Sequence, residues 1–278
     1  MIGDPIVQSK SPAIHSHWLS KLAIEAEYRA CRVGVDELAD YLADRRADPD
    51  WRGCNVTMPL KQAVIPLLDR LEIGAELVGA VNTVVPRRGR LAGANTDGAG
   101  FLEPLRAELA QRHYFRMARV LGTGGAARAI VAALAEEGFT IVLAGRDMAK
   151  ARALLGEIDP EGEHHVAPLE HFAAPTDFAF DDREGCLDLV VNASPLGMAG
   201  QPELPFDFSH APPGSLVYDI VTHPCDTDFL KAARAAGFRT IDGLSMLIGQ
   251  AALAFEKFFG KAPPREPGDA ELRALLGA

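Results

Sequence analysis

The chain has 278 residues, of which 48% are hydrophobic and 24% charged, and its formal net charge is −10. This length suits one large or two ordinary domains, and the composition is that of a soluble globular protein rather than a disordered or fibrous one. The acidic excess argues against nucleic acid and anionic membrane surfaces as partners, because both attract a basic face.

Short helices and extended segments are expected to alternate over the first part of the chain. Ser11 is expected to cap the first helix, with Pro12 at its first position. Ile14, Trp18 and Leu22 then recur at the spacing of one buried helix face. A strand, a helix, a strand that runs into a loop, and a hairpin are expected to follow at residues 28–33, 35–44, 51–61 and 80–97.

After Asp97, strands and helices alternate in the pattern of βαβ units and a parallel sheet that is covered on both faces. A strand, a glycine turn, a helix, a strand and a helix are expected in turn at ARVL, GTGGAA, RAIVAALAEEG, TIVLAGR and MAKARALLGEI. Three further strands are expected at LDLVVNA, SLVYDIV and FRTID. A long helix from Ser245 to Phe259 and a short helix capped by Asp269 complete the chain. Domain boundaries are placed near Asp97 and Asp242.

Neither a secretion signal nor a membrane span is expected. The N-terminus lacks a basic segment followed by an apolar run, and no apolar stretch approaches about 18 residues. The cysteines Cys31, Cys54, Cys186 and Cys225 form no CxxC pair, and no histidine pair has HExxH-like spacing. Reduced thiols, no metal site and a cytoplasmic location are therefore expected.

The segment from Gly122 to Ala127 fits the G-x-G-x-x-G/A pattern, because it follows a strand and opens a helix. Glycines let the backbone approach a pyrophosphate, whose charge then rests on the helix N-terminus. The cofactor contacts expected in this turn are Gly122, Gly124, Gly125 and Ala126. Alone, such a turn can also serve only for tight packing, but the flanking strand, helix and second strand favour a nucleotide.

The end of the second strand distinguishes NADP from NAD. An acidic residue there holds a ribose 2′-hydroxyl, whereas a basic residue holds a 2′-phosphate. Arg146 offers a planar fork that suits phosphate, and Lys150 adds a second positive charge. Asp147 would repel a 2′-phosphate if it pointed into the site. NADP is therefore favoured, with mixed NAD use or a merely solvated charge cluster as alternatives.

Seven segments occur in an order that resembles the shikimate dehydrogenase family along almost the entire chain. They are SKSPAIH, NVTMPLK, GAVNTVV, NTDGAGF, GTGGAARA, NASPLGM and DGLSMLIGQAA. The resemblance implies an oxidoreductase that reduces the ketone of 3-dehydroshikimate to shikimate with NADPH, a step of aromatic amino-acid biosynthesis.

The same resemblance implies an α/β fold with two domains. Residues 98–242 would form a Rossmann-type NADP-binding domain, and residues 1–97 and 243–278 a discontinuous α/β domain for substrate binding and catalysis. The expected partners are the small-molecule substrate and cofactor, with no nucleic acid or membrane. A monomer or a homodimer is expected.

The resemblance also assigns roles to individual residues. Lys61 and Asp97 would form the catalytic pair. The substrate carboxylate would be bound by Ser9 and Ser11. The ring hydroxyls would be held by Asn55, Thr57, Asn82 and Gln250. The NASPLGM segment adds the cofactor contacts Asn192 and Ser194.

These residue types suit the reaction. Hydride delivery to a carbonyl carbon leaves charge on the oxygen, so a proton donor must lie within hydrogen-bond reach. A lysine can serve as that donor when burial lowers its pKa, and an adjacent carboxylate fixes its position. Hydroxyl and amide groups suit a polyhydroxylated ring, because a site built for a hydroxyl rejects analogues that lack it.

Two residues depart from the family pattern, and the smaller change is Thr123 in the glycine turn, where alanine is common. Thr222 stands where the family usually has a tyrosine near the substrate. Thr222 and Asp147 motivate an alternative, a relative that acts on quinate or another cyclohexane carboxylate with NAD or mixed cofactor use. A second alternative is a nucleotide-sensing module without turnover, although the presence of both Lys61 and Asp97 argues against it.

Overall fold

The computed structural model describes residues 1–181 and 183–277, and the chain forms two compact units. Met1–Gly100 and Ile248–Ala278 together form the first unit, and Phe101–Leu247 forms the second. The first unit is therefore built from both ends of the chain, whereas the second is contiguous in sequence. Within the described residues, no helix is long and apolar enough to cross a membrane.

The first unit contains short strands in two sheets. Its strands are β1 (Ile2–Gly3), β2 (Cys31–Arg32), β3 (Cys54–Asn55), β4 (Arg70–Leu71), β5 (Thr83–Arg87) and β6 (Arg90–Ala94). β1 pairs in parallel with β2, and the other four lie in the order β3-β5-β6-β4. The predicted hairpin is confirmed as β5 and β6, which are joined by Arg88 and Gly89, both with positive φ.

Short helices connect these strands. They are α1 (Ser11–Lys21), α2 (Leu38–Ala47), α3 (Leu60–Ala63), α4 (Ile73–Val78) and α5 (Asp97–Leu102). Ile2, Val56, Val81 and Val84 share one core cluster with Leu38 of α2. The unit is therefore held by side chains from many short elements rather than by long regular ones.

Several local expectations for this unit are wrong. Ser11 lies inside α1, and no side chain among the described residues caps that helix. The expected strand at 28–33 shrinks to β2, and the expected helix at 35–44 begins three residues later because Leu38 and Leu42 are the buried positions. Lys61 lies on α3 rather than in a loop.

The second unit is a parallel sheet with helices on both faces. Its strands are β7 (Phe115–Leu121), β8 (Thr140–Gly145), β9 (His165–Pro168), β10 (Cys186–Asn192), β11 (Leu216–Asp219) and β12 (Arg239–Ile241). Its helices are α6 (Arg106–Leu109), α7 (Gly125–Glu136), α8 (Met148–Ile158) and α9 (Asp228–Ala235). The strand order is β12-β11-β10-β7-β8-β9, with every pairing parallel. The α/β, Rossmann-type prediction is confirmed.

Alternate residues of the central strands enter two separate cores. On β10, Leu189 and Val191 join the cluster that contains Ile130 of α7 and Leu154 of α8. Val190, which lies between them, joins the cluster of α9 on the opposite face. This alternation follows from the twofold repeat of side chains along a strand. Because all the strands run in parallel, their carboxyl ends lie at one edge of the sheet.

The chain ends with α10 (Gly243–Phe259) and α11 (Ala270–Leu275). Phe258 of α10 packs against Val85 and Ala92 of the β5–β6 hairpin. The prediction that Asp269 caps α11 is wrong, because its side chain makes no cap bond. Its carboxylate Oδ1 instead accepts a hydrogen bond from Arg265 Nε at 2.9 Å.

Candidate active site and dinucleotide site

Lys61 and Asp97 form a buried ion pair in the first unit. Lys61 lies on α3 and Asp97 is the first residue of α5, and the Lys61 Nζ atom lies 2.5 Å from Asp97 Oδ2. The Lys61 side chain is 17% exposed and the Asp97 side chain 7%, so both charges are largely withdrawn from water. A lysine in this position can exchange a proton with a nearby oxygen while the carboxylate holds the ammonium in place.

Backbone and side-chain hydrogen bonds place the two partners. The Asp97 backbone N–H donates to Asn95 Oδ1 at 2.9 Å, and Asn95 Nδ2 donates to the Ala80 carbonyl at 2.9 Å. The Val81 N–H donates to the Lys61 carbonyl at 2.8 Å. The segment before β5 is thereby bonded both to α3 and to the start of α5.

The amide of Asn82 is fully used inside the protein. Its Nδ2 donates to Asp97 Oδ1 and to Thr96 Oγ1, both at 2.8 Å. Its Oδ1 accepts from the Thr96 backbone N–H and from Thr83 Oγ1, both at 2.9 Å. Asn82 therefore holds the second oxygen of Asp97, and any bond from this amide to a ligand must replace one of these four.

Thr83 and Tyr28 also join this network, through Asn55, and sequence analysis predicts neither of them as a site residue. Asn55 Nδ2 donates to Thr83 Oγ1 at 3.1 Å and to the Asn82 carbonyl at 3.3 Å. Tyr28 donates its hydroxyl to Asn55 Oδ1 at 2.6 Å. Thr83 follows Asn82 inside the GAVNTVV segment, so this motif could have identified Thr83 as a site residue. No motif surrounds Tyr28.

The other predicted substrate residues lie in the same unit. Ser9 and Ser11 lie at the start of α1, where the Ser11 N–H donates to Ser9 Oγ at 3.3 Å. Thr57 follows β3 and is half-buried. Gln250 lies on α10, and its carbonyl accepts from Thr96 Oγ1 at 3.0 Å. The structure thus connects Gln250 to the network, while Ser9, Ser11 and Thr57 make no hydrogen bond to the Lys61–Asp97 pair in the described part of the chain.

Gly100 controls how closely α5 approaches α10. A Cβ atom at this position would lie 2.5 Å from the backbone nitrogen of Gln250 and 2.9 Å from its Cα. These are contacts with backbone, which cannot move aside as a flexible side chain can. Glycine is therefore required where the helix that begins with Asp97 meets the helix that carries Gln250.

The glycine turn in the second unit lies at the carboxyl ends of three neighbouring strands. Gly122 follows β7 with φ +125°, and a Cβ there would lie 2.7 Å from the Ala193 carbonyl after β10. Gly124 differs, because a Cβ there would meet no atom of the described residues within 4 Å. Its extended backbone does not require glycine either. Gly124 therefore leaves open space at the N-terminus of α7, where Gly125 and Ala126 begin the helix.

This open space fits a pyrophosphate. The N-terminus of α7 has no side-chain cap among the described residues, so its first N–H groups can bind an anion. Carboxyl ends of parallel strands are also where open α/β sheets bind nucleotides. The turn therefore matches the cofactor that the sequence predicts.

Asn192 and Asp219, at the ends of β10 and β11, organise the loop beside the turn. Asn192 Nδ2 donates to Asp219 Oδ1 at 3.0 Å and to the Leu196 carbonyl at 2.9 Å. Its Oδ1 accepts from the Ser194 backbone N–H at 3.0 Å and from Ser194 Oγ at 2.7 Å. The Asn192 amide is thus saturated and shapes the loop. Burial raises the pKa of Asp219 to about 6, against the opposing effect of the hydrogen bonds from Thr227, Val221 and Asn192.

The predicted 2′-phosphate residues follow β8 and are exposed. Neither the Arg146 side chain nor the Lys150 ammonium is ion-paired within the described residues, so both are available to a ligand. Asp147 caps α8, since its Oδ1 accepts the Lys150 backbone N–H at 3.0 Å. The acidic residue that argued for NAD therefore has a structural role at the start of a helix.

No metal-binding group is found among the described residues. In residues 1–181 and 183–277, no three histidine, cysteine, aspartate or glutamate side chains are grouped so that they could hold an ion. The four cysteines are free thiols.

A six-stranded parallel sheet with an uncapped glycine turn, joined in one chain to a buried lysine–aspartate pair, is the arrangement of a dinucleotide-dependent oxidoreductase. Family models for the shikimate dehydrogenase substrate binding domain and the shikimate 5'-dehydrogenase C-terminal domain match residues 1–84 and 243–273. The chain is 50% identical to shikimate dehydrogenase (NADP(+)) of Sphingopyxis alaskensis, over 100% of this chain and 96% of that protein. The chain belongs to the shikimate dehydrogenase family.

Solved structures agree with this placement. The shikimate 5-dehydrogenase of Thermus thermophilus, in complex with NADP(H) and shikimate, matches with a TM-score of 0.82 and 34% identity over 99% of this chain and 96% of that one. The quinate dehydrogenase of Corynebacterium glutamicum, in complex with NAD, matches with a TM-score of 0.78 and 32% identity over the same shares.

Proposed function

We propose that this chain is an NADP-dependent dehydrogenase that reversibly reduces 3-dehydroshikimate to shikimate, in aromatic amino-acid biosynthesis. The observation that carries the proposal is the buried Lys61–Asp97 pair, with 2.5 Å between Nζ and Oδ2. It occurs in a chain that is 50% identical over its whole length to a shikimate dehydrogenase (NADP(+)).

The pair accounts for the proton that this reaction needs. Reduction adds a hydride to the carbonyl carbon and a proton to its oxygen. The nicotinamide, when bound, supplies the hydride. Lys61 gives a proton from Nζ to the oxygen, and in the reverse direction it takes the proton of the hydroxyl. Asp97 contacts Lys61 through one oxygen and Asn82 through the other, so it holds the lysine at a defined position.

Six other residues of the first unit bind the substrate. Ser9 and Ser11 hold its carboxylate at the start of α1. The hydroxyls of the ring contact Asn55, Thr57, Asn82 and Gln250. These neutral groups both donate and accept, which is what a ring with several hydroxyls requires.

Residues of the glycine turn and of the loops after β8 and β10, all in the second unit, bind NADP. The pyrophosphate lies against α7, with contacts to Gly122, Gly124, Gly125 and Ala126. The 2′-phosphate contacts Arg146 and Lys150 after β8. Ser194 contributes from the loop after β10, and Asn192 contributes by shaping that loop. The local positive charges and the helix N-terminus hold this anion in spite of the net charge of −10.

These assignments imply two functional domains. Residues 98–242 bind NADP, and residues 1–97 with 243–278 bind the substrate and carry the catalytic pair. The enzyme works in the cytoplasm as a monomer or homodimer, uses no metal, and has neither nucleic acid nor membrane as a partner.

Steady-state kinetics with shikimate and quinate, each with NADP and with NAD, test the proposal. The highest kcat/KM is expected for shikimate with NADP. A preference for quinate with NAD would overturn it and would assign Thr222 a role in substrate choice. Binding of NADPH without any oxidation by 3-dehydroshikimate would instead identify a nucleotide-sensing module.

A further inference from the structure

The Thr83 hydroxyl lies between the two asparagines of the proposed substrate site. Thr83 is completely buried at the start of β5. Its Oγ1 accepts from Asn55 Nδ2 at 3.1 Å and donates to Asn82 Oδ1 at 2.9 Å. One hydroxyl thus connects both amides, and neither Thr83 nor the Tyr28 that contacts Asn55 has an assigned role.

The direction of each hydrogen bond follows from groups that have only one possible role. Asp97 accepts, so the Asn82 atom that faces it is the NH₂ group. The Asn82 oxygen then faces the Thr96 backbone N–H, which can only donate, and the Thr83 hydroxyl must donate to it as well. The donor and acceptor groups around Asn82 therefore determine which side of its amide carries the oxygen and which the NH₂ group.

The same reasoning extends to Tyr28. Asn55 faces the Asn82 carbonyl, which can only accept, so its NH₂ group lies on that side and also donates to Thr83. The Asn55 oxygen therefore faces Tyr28, whose hydroxyl must donate. Tyr28 thus donates to Asn55, Asn55 to Thr83, Thr83 to Asn82 and Asn82 to Asp97, and we call this series the donor chain. Hydrogen bonds that run in one direction polarise and strengthen one another.

Packing holds the first member of the donor chain. The Tyr28 ring stacks on the ring of His15, with centroids 4.0 Å apart and planes 3° from parallel. Burial lowers the pKa of His15 to about 3, so this ring is uncharged and offers a flat face to the Tyr28 ring. The ring of Tyr28 is therefore fixed independently of its hydroxyl, and the hydroxyl can be removed without removing the stacking.

We propose that Thr83 and Tyr28 are positioning residues, which hold Asn82 and through it Asp97 in the orientation that faces Lys61. This inference rests on the proposed function, because it assigns the two residues to the same proton transfer. Neither side chain needs to contact the substrate for the effect. The consequence is that turnover depends on the hydroxyl of Thr83 rather than on its volume.

Thr83→Val and Thr83→Ser form the matched test. Valine keeps the shape but removes the hydroxyl, so kcat is expected to fall by about tenfold or more because two buried amide groups lose a partner. Serine keeps the hydroxyl and should retain kcat within about threefold. KM for NADPH should be unchanged in both variants, since the effect lies at the proton-transfer step. Equal loss in the two variants, or full activity of Thr83→Val, would overturn the proposal.

Tyr28→Phe tests the donor chain when Thr83→Val folds poorly. It removes only the hydroxyl and leaves the stacked ring in place, so kcat should fall by about fivefold with unchanged KM for NADPH. Wild-type kcat in this variant would refute a positioning role for Tyr28. All measurements are compared with the wild-type chain acting on 3-dehydroshikimate, and absence of wild-type turnover would reject the proposed function instead.

Discussion

Asp219 makes a testable contribution to stability. It is completely buried at the end of β11, and burial raises its pKa from 3.8 to about 6. The folded state therefore binds this proton more tightly than the unfolded state. Its stabilising contribution is fully present below the unfolded pKa and is lost as the pH rises through the folded pKa. A shift of about two units corresponds to about 3 kcal/mol of unfolding free energy, lost between about pH 4 and about pH 7.

Asp219→Asn removes this titration with little change of shape. The asparagine oxygen can accept from Asn192 and Val221, and its NH₂ group can donate to the hydroxyl oxygen of Thr227. The unfolding free energies of wild type and variant are measured by urea titration at a series of pH values. Other carboxylates cancel in the difference, which should fall by about 3 kcal/mol as the pH rises from about 4 to about 7.

Asp207 provides a control of opposite sign. Hydrogen bonds from Ser209 lower the pKa of Asp207. Its stabilising contribution is therefore present above the unfolded pKa and is lost as the pH falls through the folded pKa. The wild-type advantage over Asp207→Asn should accordingly rise with pH. A difference for Asp219→Asn that stays flat, or that rises with pH as for Asp207→Asn, would refute the reasoning about burial.

Three further predictions concern the proposed sites. Lys61→Ala should lower kcat by about 100-fold or more while NADPH binding, followed by fluorescence titration, stays intact; near-normal kcat would exclude the assigned proton transfer. Arg146→Ala should raise KM for NADP by about tenfold and leave KM for NAD nearly unchanged, and equal effects on both cofactors would show that Arg146 does not meet the 2′-phosphate. Gly100→Ala should lower the unfolding free energy by about 1–3 kcal/mol because its Cβ would collide with backbone, whereas Gly124→Ala should keep the wild-type stability and raise KM for NADPH. Thermal melts and kinetics of the two alanine variants, compared side by side, check this contrast.

The second unit was the easier part to predict from sequence. β10 is a mostly apolar run and α8 has apolar residues at helical spacing, and the expected positions of both agree with the structure. β9 and α9 were missed. A signal for α9 was present, since Thr227 precedes an amphipathic segment and its hydroxyl accepts the Leu230 N–H.

The first unit was harder because its order comes from distant contacts. Several strands have only two residues, which is too short for a period of two to be visible. Lys61 and Asp97 were identified by motif, but nothing local predicts that they meet across 36 positions. Tyr28 reaches Asn55 across 27 positions without any motif, so only the folded chain reveals the contact.

The use of both chain ends in the first unit has a consequence for synthesis on the ribosome. Phe101–Leu247 is synthesised before Ile248–Ala278, so it can begin to fold before the first unit has all its parts. The first unit must wait for Ile248–Ala278, because Phe258 supplies part of the packing against Val85 and Ala92. The second unit of a nascent chain can therefore form before the core around the β5–β6 hairpin is complete.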